Sequence, residues 1–588
     1  MSSGCGMPPG HSNCPRGELE PRSDQIQQHD QSERKLNSTQ KSIPDVILHS
    51  GLIHTGDSKN GTVQALSIIG NRIHAVGLTE ELLRAADTST QIIDLKGSCV
   101  IPGLTDGHAH IDREGLRHQL PSLQHAHSLK DILDVIADEV RQRPEGAWIL
   151  TQPIGQPPEF LTDVSHLIPT RYDLDRVSPK HPVFIRPIWG YWSNSVPFVC
   201  VANSLALKLA GIGLHTRSPS QEIGIDKDAS GHPTGIFWEK SLVPLVEHTL
   251  MRCAPGFSLA QREAALLHGM SEYNKAGTTC VFEGHGVASE VIQAYQSVHS
   301  SGKSTVRALL TFSPNWHLNG QGDAAEMLKD WAAWVGRNGS GDDLLKVQGL
   351  YAEIDPDPHN NQLRAANHPC TGWAGFQAGC ALPLDVMKVL VQEAARNEIR
   401  LSGIWPNLLD LFESANQVHP IAPMRWVLGH QRFLTRDQIA RIKDLGIVLT
   451  THTNRHIYKD GDRMLREGTH DMNDLVPLRS LIENGVPVAF GSDNLPPSLF
   501  HPMWHASARK SRGGQLVGES QAIERSQALE IATQGGAYLC FDEEKRGRLN
   551  PGFLADVSIL TADPLSCDEE KLPHIQATRV MVNGQFVV

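Results

Sequence analysis

No stretch of this 588-residue chain stays apolar for the roughly 20 residues that a membrane-crossing helix needs, so none is expected to span a bilayer. The 10 cysteines are scattered from Cys5 and Cys14 to Cys567 and include no C-x-x-C pair. Cys99, Cys200, Cys280 and Cys540, all in apolar or small-residue settings, read instead as buried thiols in a reducing compartment. Basic charge is also short. Against 65 Asp and Glu stand 53 Lys and Arg, a net of -12, which disfavours the dense basic face that a nucleic-acid partner requires. A small-molecule substrate fits better. Residues 1–42 lack a basic-then-apolar leader and are rich in Gly, Pro, Ser, Gln and charge, the composition of a disordered tail. The default location is therefore the cytoplasm. Neither an internal repeat nor a coiled-coil heptad is present, and a homo-oligomer is left open.

Hydrophobic residues at 40% and charged residues at 20% describe a soluble globular protein, long enough for more than one structural unit. From Ile43 to Asp94 the chain shows short β-rich runs with turn punctuation, of which Ala65–Ile69 and Arg72–Gly77 form one hairpin around Gly70-Asn71. Strands recur at the other end, at Asp556–Leu560 and Thr578–Val588. Such end pieces need a shared core, and a small β-sandwich built from both termini supplies one. Between them strands alternate with helical stretches, the pattern of a parallel α/β sheet. Counting the run that begins at Val100, eight segments share one grammar, an apolar run that ends in polar or Gly residues. The other seven are 278–286, 306–315, 347–355, 399–406, 426–431, 447–454 and 488–494. Eight closes a (β/α)8 TIM-type barrel. Two further runs, 147–152 and 181–190, would overfill it and mark a subdomain inserted after the first strand.

The organising stretch is Cys99 to Glu114, CVIPGLTDGHAHIDRE, in which His108-Ala109-His110 aims two imidazoles to one side of an extended segment. It resembles the first barrel strand of the amidohydrolase superfamily, with its PG(F/L)xDxHxH signature. Near the C-terminus, Gly547–Val557 (GRLNPGFLADV) followed by Ala562-Asp563-Pro564 resembles the segment that closes these enzymes. The inserted subdomain resembles the amidohydrolase 3 branch, which includes N-substituted formamide deformylases and YtcJ-like proteins. The resemblance also implies the two-ended sandwich. The resulting division is 1–42 tail, 43–98 first part of the sandwich, 99–545 metal-dependent hydrolase barrel with an insert at about 115–270, and 546–588 second part of the sandwich.

Strand ends of a (β/α) barrel converge on one mouth. Here they deliver His108, His110, Glu283, His285, Tyr351, Glu353, Ser402, His430, Thr451, His452 and Asp493. Imidazole and carboxylate suit zinc and similar ions, and a catalytic site needs about three protein ligands with a water position left open. The resemblance implies that His108 and His110 are metal ligands, that His430 is the sixth-strand histidine, and that Asp493 both contacts metal and shuttles a proton. Two family positions are missing. Tyr351 stands where a fourth-strand lysine would fall, and Ser402 where a fifth-strand histidine would, so a standard two-metal centre is not expected. Glu283, His285, Glu353, Tyr351, Ser402 and His452 are secondary candidates for metal or substrate contact, and Trp189, Trp192, Trp405 and Trp504 for an apolar pocket lining. The expected function is hydrolysis of a nonpeptide C–N bond in an amide, formamide, cyclic amide or amidine, with one divalent metal, zinc. The alternatives are a catalytically inactive barrel that binds a ligand, and a decarboxylase or isomerase on the same fold.

Overall fold

Eight short segments set the architecture of the computed structural model, which describes residues 43–588 apart from 58, 60, 157–159, 161–166, 189–196, 242–243, 317–323, 355–356, 366–374 and 376–380. The expected tail, Trp189 and Trp192 lie outside the described residues. The segments are β1 (Leu104–Ala109), β2 (Thr278–Val287), β3 (Arg307–Phe312), β4 (Leu345–Tyr351), β5 (Leu401–Gly403), β6 (Val427–Gly429), β7 (Val448–Thr451) and β8 (Val488–Phe490). They pair in that order, each parallel to the next. Most of their residues are buried, which is why they read as apolar runs. The ring is drawn shut between β8 and β1, where the Asp493 N–H donates to the His108 carbonyl (3.0 Å) and the Ser492 N–H to Asp106 Oδ1 (3.1 Å). Cys280, Phe282, Leu309, Val427, Val448 and Ala489 form one cluster with Leu539 and Cys540. Side chains from non-neighbouring strands can meet in this way only inside a barrel.

Helices cover the outside. Leu259–Lys275 begins at a capping box in which the Ser258 hydroxyl accepts from the Gln261 N–H while the Gln261 side chain accepts from the Ser258 N–H. It packs against Ile111–Leu116, the short helix that directly follows His110.

Both chain ends build the sandwich. One sheet orders Arg72–Gly77, Ala65–Ile69, Val46–His49 and Gln91–Asp94; the other orders Gln585–Phe586, Ala577–Val582, Val557–Leu560, Cys99–Pro102, Leu52–His54 and Thr62–Val63. Val46, Leu48, Ile68, Val100, Val557 and Met581 share its core. The run expected to lead the first barrel strand, Val100-Ile101, therefore lies in the sandwich, paired with Val557–Leu560. Alternation explains this: Val100 faces the sandwich core, whereas Cys99 and Ile101 face the barrel-side core. The chain crosses into the barrel at Gly103, whose N–H donates to the Asp556 carbonyl (3.0 Å). The two surplus runs become Ile149–Thr151 and Val183–Ile185 of a separate five-stranded sheet, completed by Phe198–Ala202, Pro233–Glu239 and Ile223–Lys227. Two apolar cores, one around Phe184 and Phe237 and one around Ile132 and Val183, hold the helices that flank this sheet.

Candidate metal centre

Barrel closure gathers His108 (β1), His110 just beyond it, His285 (β2), His430 after β6, His452 after β7 and Asp493 after β8. Ligand atoms of His108, His110, His285 and Asp493 all lie within 4.8 Å of one another, and so do those of His108, His430 and His452. His108 belongs to both groups. Its Nε2 is 3.3 Å from His430 Nε2, which is itself 3.3 Å from His285 Nε2. His110 Nε2 stands 3.2 Å from Asp493 Oδ1, and the His430 and His452 rings stack at 3.7 Å.

Two glycines make this crowding feasible. A Cβ on Gly284 would fall 2.2 Å from His108 Cγ, and one on Gly491 would fall 2.5 Å from His108 Cβ. Three of the residues here adopt left-handed backbone without being glycine: His430 (φ 55°), Asp493 (φ 50°) and Asn494 (φ 58°). Such conformations cost of order 1 kcal/mol or more each and persist where surrounding contacts over-determine them.

Those contacts are present. Asn494 Nδ2 donates to the His110 carbonyl (2.8 Å), and the Tyr273 hydroxyl donates to Asn494 Oδ1 while accepting from the His110 N–H (3.2 Å). Glu283 Oε1 accepts from the Tyr295 hydroxyl (2.6 Å) and the Ile111 N–H (3.0 Å), and its other oxygen lies 3.5 Å from His110 Nδ1. Glu283 thus orients His110 from behind. Tyr351 hydrogen-bonds Glu353 and approaches His285 Nδ1 at 3.3 Å, so the residue in place of the expected lysine holds a histidine of the cluster. Ser402 is buried at the end of β5, and its hydroxyl has no hydrogen-bond partner among the described residues. Trp405 and Trp504 are partly buried against the main core.

Burial, reinforced by neighbouring imidazoles, holds His108 and His430 well below the ordinary histidine range, and burial does the same for His285. Burial brings His452 down to about 4. These rings are neutral at pH 7, the protonation state in which imidazole ligates metal. Burial alone would raise the Asp493 carboxyl, yet the hydrogen bond from His110 and the nearby imidazoles keep it well below the carboxylate range. Among the described residues, both ring nitrogens of His452 and Asp493 Oδ2 are buried without a hydrogen-bond partner, while His110 Nε2 and Asp493 Oδ1 have only each other at 3.2 Å and Arg113 at 3.7 Å. Orphaned polar atoms of this kind are rare in a folded interior, and a neutral-imidazole and carboxylate set fits a divalent cation.

Sequence reasoning passed over two buried groups. Asp106 accepts from the His108 N–H (3.0 Å) and clamps β8 through Ser492; burial raises its carboxyl to about 6. Arg113, 1% exposed, places Nη1 3.7 Å from Asp493 Oδ1. The available signal was charge, Asp112-Arg113-Glu114, packed directly behind the His-x-His pair.

A family model described as "Amidohydrolase family" matches residues 91–588. N-substituted formamide deformylase of Arthrobacter pascens is 26% identical over 572 residues, covering 92% of this chain and 97% of its own length. Putative amidohydrolase YtcJ of Bacillus subtilis (strain 168) is 25% identical over 571 residues, covering 92% and 99%. Among solved structures, an uncharacterized metal-dependent hydrolase from Pyrococcus furiosus superposes with TM-score 0.64 at 20% identity, over 89% of this chain and 100% of that one, a likeness of fold.

Proposed function

The chain belongs to the amidohydrolase family, as a hydrolase with a candidate His/Asp metal site, and from that premise we propose that it cleaves a nonpeptide C–N bond of a small amide, formamide, cyclic amide or amidine with one zinc ion. The observation that carries the reading is the convergence of buried ligand atoms of His108, His110, His285 and Asp493 within 4.8 Å of one another. His108, His110, His285 and Asp493 would hold the ion. When bound, it supplies Lewis acidity, bringing the pKa of water toward about 7 and polarising the scissile carbonyl.

The chain's own residues do the rest. Asp493, kept ionised by its imidazole neighbours, accepts the proton of the attacking water on a carboxylate oxygen and passes it to the departing nitrogen. His430, neutral in this setting, presents Nε2 to the oxygen of the tetrahedral intermediate. Glu283 and Tyr351 orient His110 and His285. Formamide hydrolysis is the first chemistry to test, because a relative spanning 92% of this chain carries that activity in its name.

The experiment pairs elemental analysis after extensive dialysis with a hydrolysis screen of simple N-substituted formamides, cyclic amides and amidines. One equivalent of zinc that is lost in His108→Ala, and metal-dependent turnover of one of these, is the expected result. Two equivalents lost in His108→Ala would mean that the His430 and His452 group also fills, and no His108-dependent metal would overturn the reading.

A further inference from the structure

A second group of ligand-type side chains lies in the sandwich, formed by segments from opposite ends of the chain. His54 ends the strand Leu52–His54, Cys99 begins the neighbouring Cys99–Pro102, and Asp563 follows Val557–Leu560, which pairs with the latter. Their ligand atoms lie within 4.8 Å of one another. His54 Nε2 is 3.0 Å from Asp563 Oδ1, and Cys99 Sγ is 3.7 Å from the same oxygen.

These separations match tetrahedral ligation. Zinc bonds of about 2.0–2.1 Å to nitrogen or oxygen and about 2.3 Å to sulfur, opened to a tetrahedral angle, set N–O edges near 3.4 Å and S–O edges near 3.6 Å. The observed 3.0 and 3.7 Å need a change of a few tenths of an ångström. We propose that His54, Cys99 and Asp563 form a site for a thiophilic divalent cation, zinc, with the fourth position open to solvent, and that the ion pins the N-terminal strands of the sandwich to its C-terminal segment. Binding forms bonds to one thiolate, one imidazole and one carboxylate and releases one thiol proton to solvent; nothing is oxidised. The Cys99 thiol is directed at Asp563 Oδ1. His54 and Asp563 are each 14% exposed, which leaves an entry path.

Cobalt distinguishes this site from the barrel cluster, because the barrel cluster contains no sulfur. Full-length protein stripped of metal and titrated with Co2+ alone should develop a near-ultraviolet thiolate-to-cobalt charge-transfer band. The band should vanish in Cys99→Ser and persist in His108→Ala and in Cys280→Ser. His54→Gln changes a partly exposed side chain and guards against misfolding of the Cys99 variant. It should weaken cobalt binding at least tenfold with the far-ultraviolet circular dichroism unchanged. Absence of the band in protein that has taken up cobalt, or its survival in Cys99→Ser, would overturn the proposal.

Discussion

Replacing Gly284 by Ala tests whether the position of His108 governs the barrel cluster. The new methyl would sit 2.2–2.3 Å from Cγ, Cδ2 and Nδ1 of the His108 ring, whereas carbon contacts relax near 3.5–4.0 Å. The ring must therefore retreat by about 1 Å, and Gly491, whose own Cβ position is 2.5 Å from His108 Cβ, leaves little room behind it. Overpacking of this kind costs about 1–3 kcal/mol of stability. A misplacement of about 1 Å costs catalysis about 10²-fold. Because His108 belongs to both ligand groups, metal content should fall as well. Metal per chain, the urea midpoint and turnover with added zinc would be measured together. Gly213→Ala serves as control, since nothing lies within 4 Å of its Cβ position. A Gly284→Ala protein with wild-type metal content and turnover would show that His108 need not stand where the structure puts it, and the ligand assignment would fail.

Asp493→Asn keeps the shape and one ligating oxygen but removes the carboxylate base, so turnover should drop about 10²- to 10⁴-fold with the fold intact; a near-normal rate would remove the proton-shuttle role. Asp556→Ala would strand the buried Arg307, which donates Nε and Nη2 to Asp556 at 2.7 and 3.0 Å, and should cost about 3–5 kcal/mol in chemical denaturation. A loss below about 1 kcal/mol would show that the bonds Arg307 also donates to the Asp343 carbonyl and Asn583 Oδ1 suffice to hold it. Burial and His574 lower His501 to about 4. A histidine depressed in the folded state contributes stability that is full above its unfolded value of about 6.5 and lost as pH falls from there toward 4. The thermal midpoint should decline over that window by an amount worth at most about 3 kcal/mol, less solvent screening. His501→Gln should flatten this decline, and an unchanged slope would refute the assignment.

Much of the barrel was legible because a strand buried on both faces has to be apolar along its length, and turn residues mark where it stops. Trp426–Gln431 and Val488–Asn494 could be read in this way. Val100-Ile101 could not be assigned correctly from hydrophobicity, since a strand facing two cores looks the same as one facing a barrel and its helices. Tyr273 and Tyr295 gave no signal at all. Each lies on a helix among ordinary core residues, and only the packing of that helix brings its hydroxyl to Asn494 or Glu283.

The cluster itself was half legible for a related reason. His108, His110, His430 and Asp493 could be named from motif and strand end, but whether His285 joins them depends on backbone irregularity. The pairing register of β2 with β3 shifts between Glu283 and Val287, and that shift turns His285 inward beside His430. His430, Asp493 and Asn494 hold positive φ although none is glycine, so local preference opposes the site and long-range contacts enforce it. The Asp493 N–H bond to His108 and the Ser492 N–H bond to Asp106 close the barrel, and with the Asn494 bond to His110 they also fix the histidine pair. Closure and ligand geometry are therefore one event, and a sequence window, which holds only one side of each bond, cannot contain it.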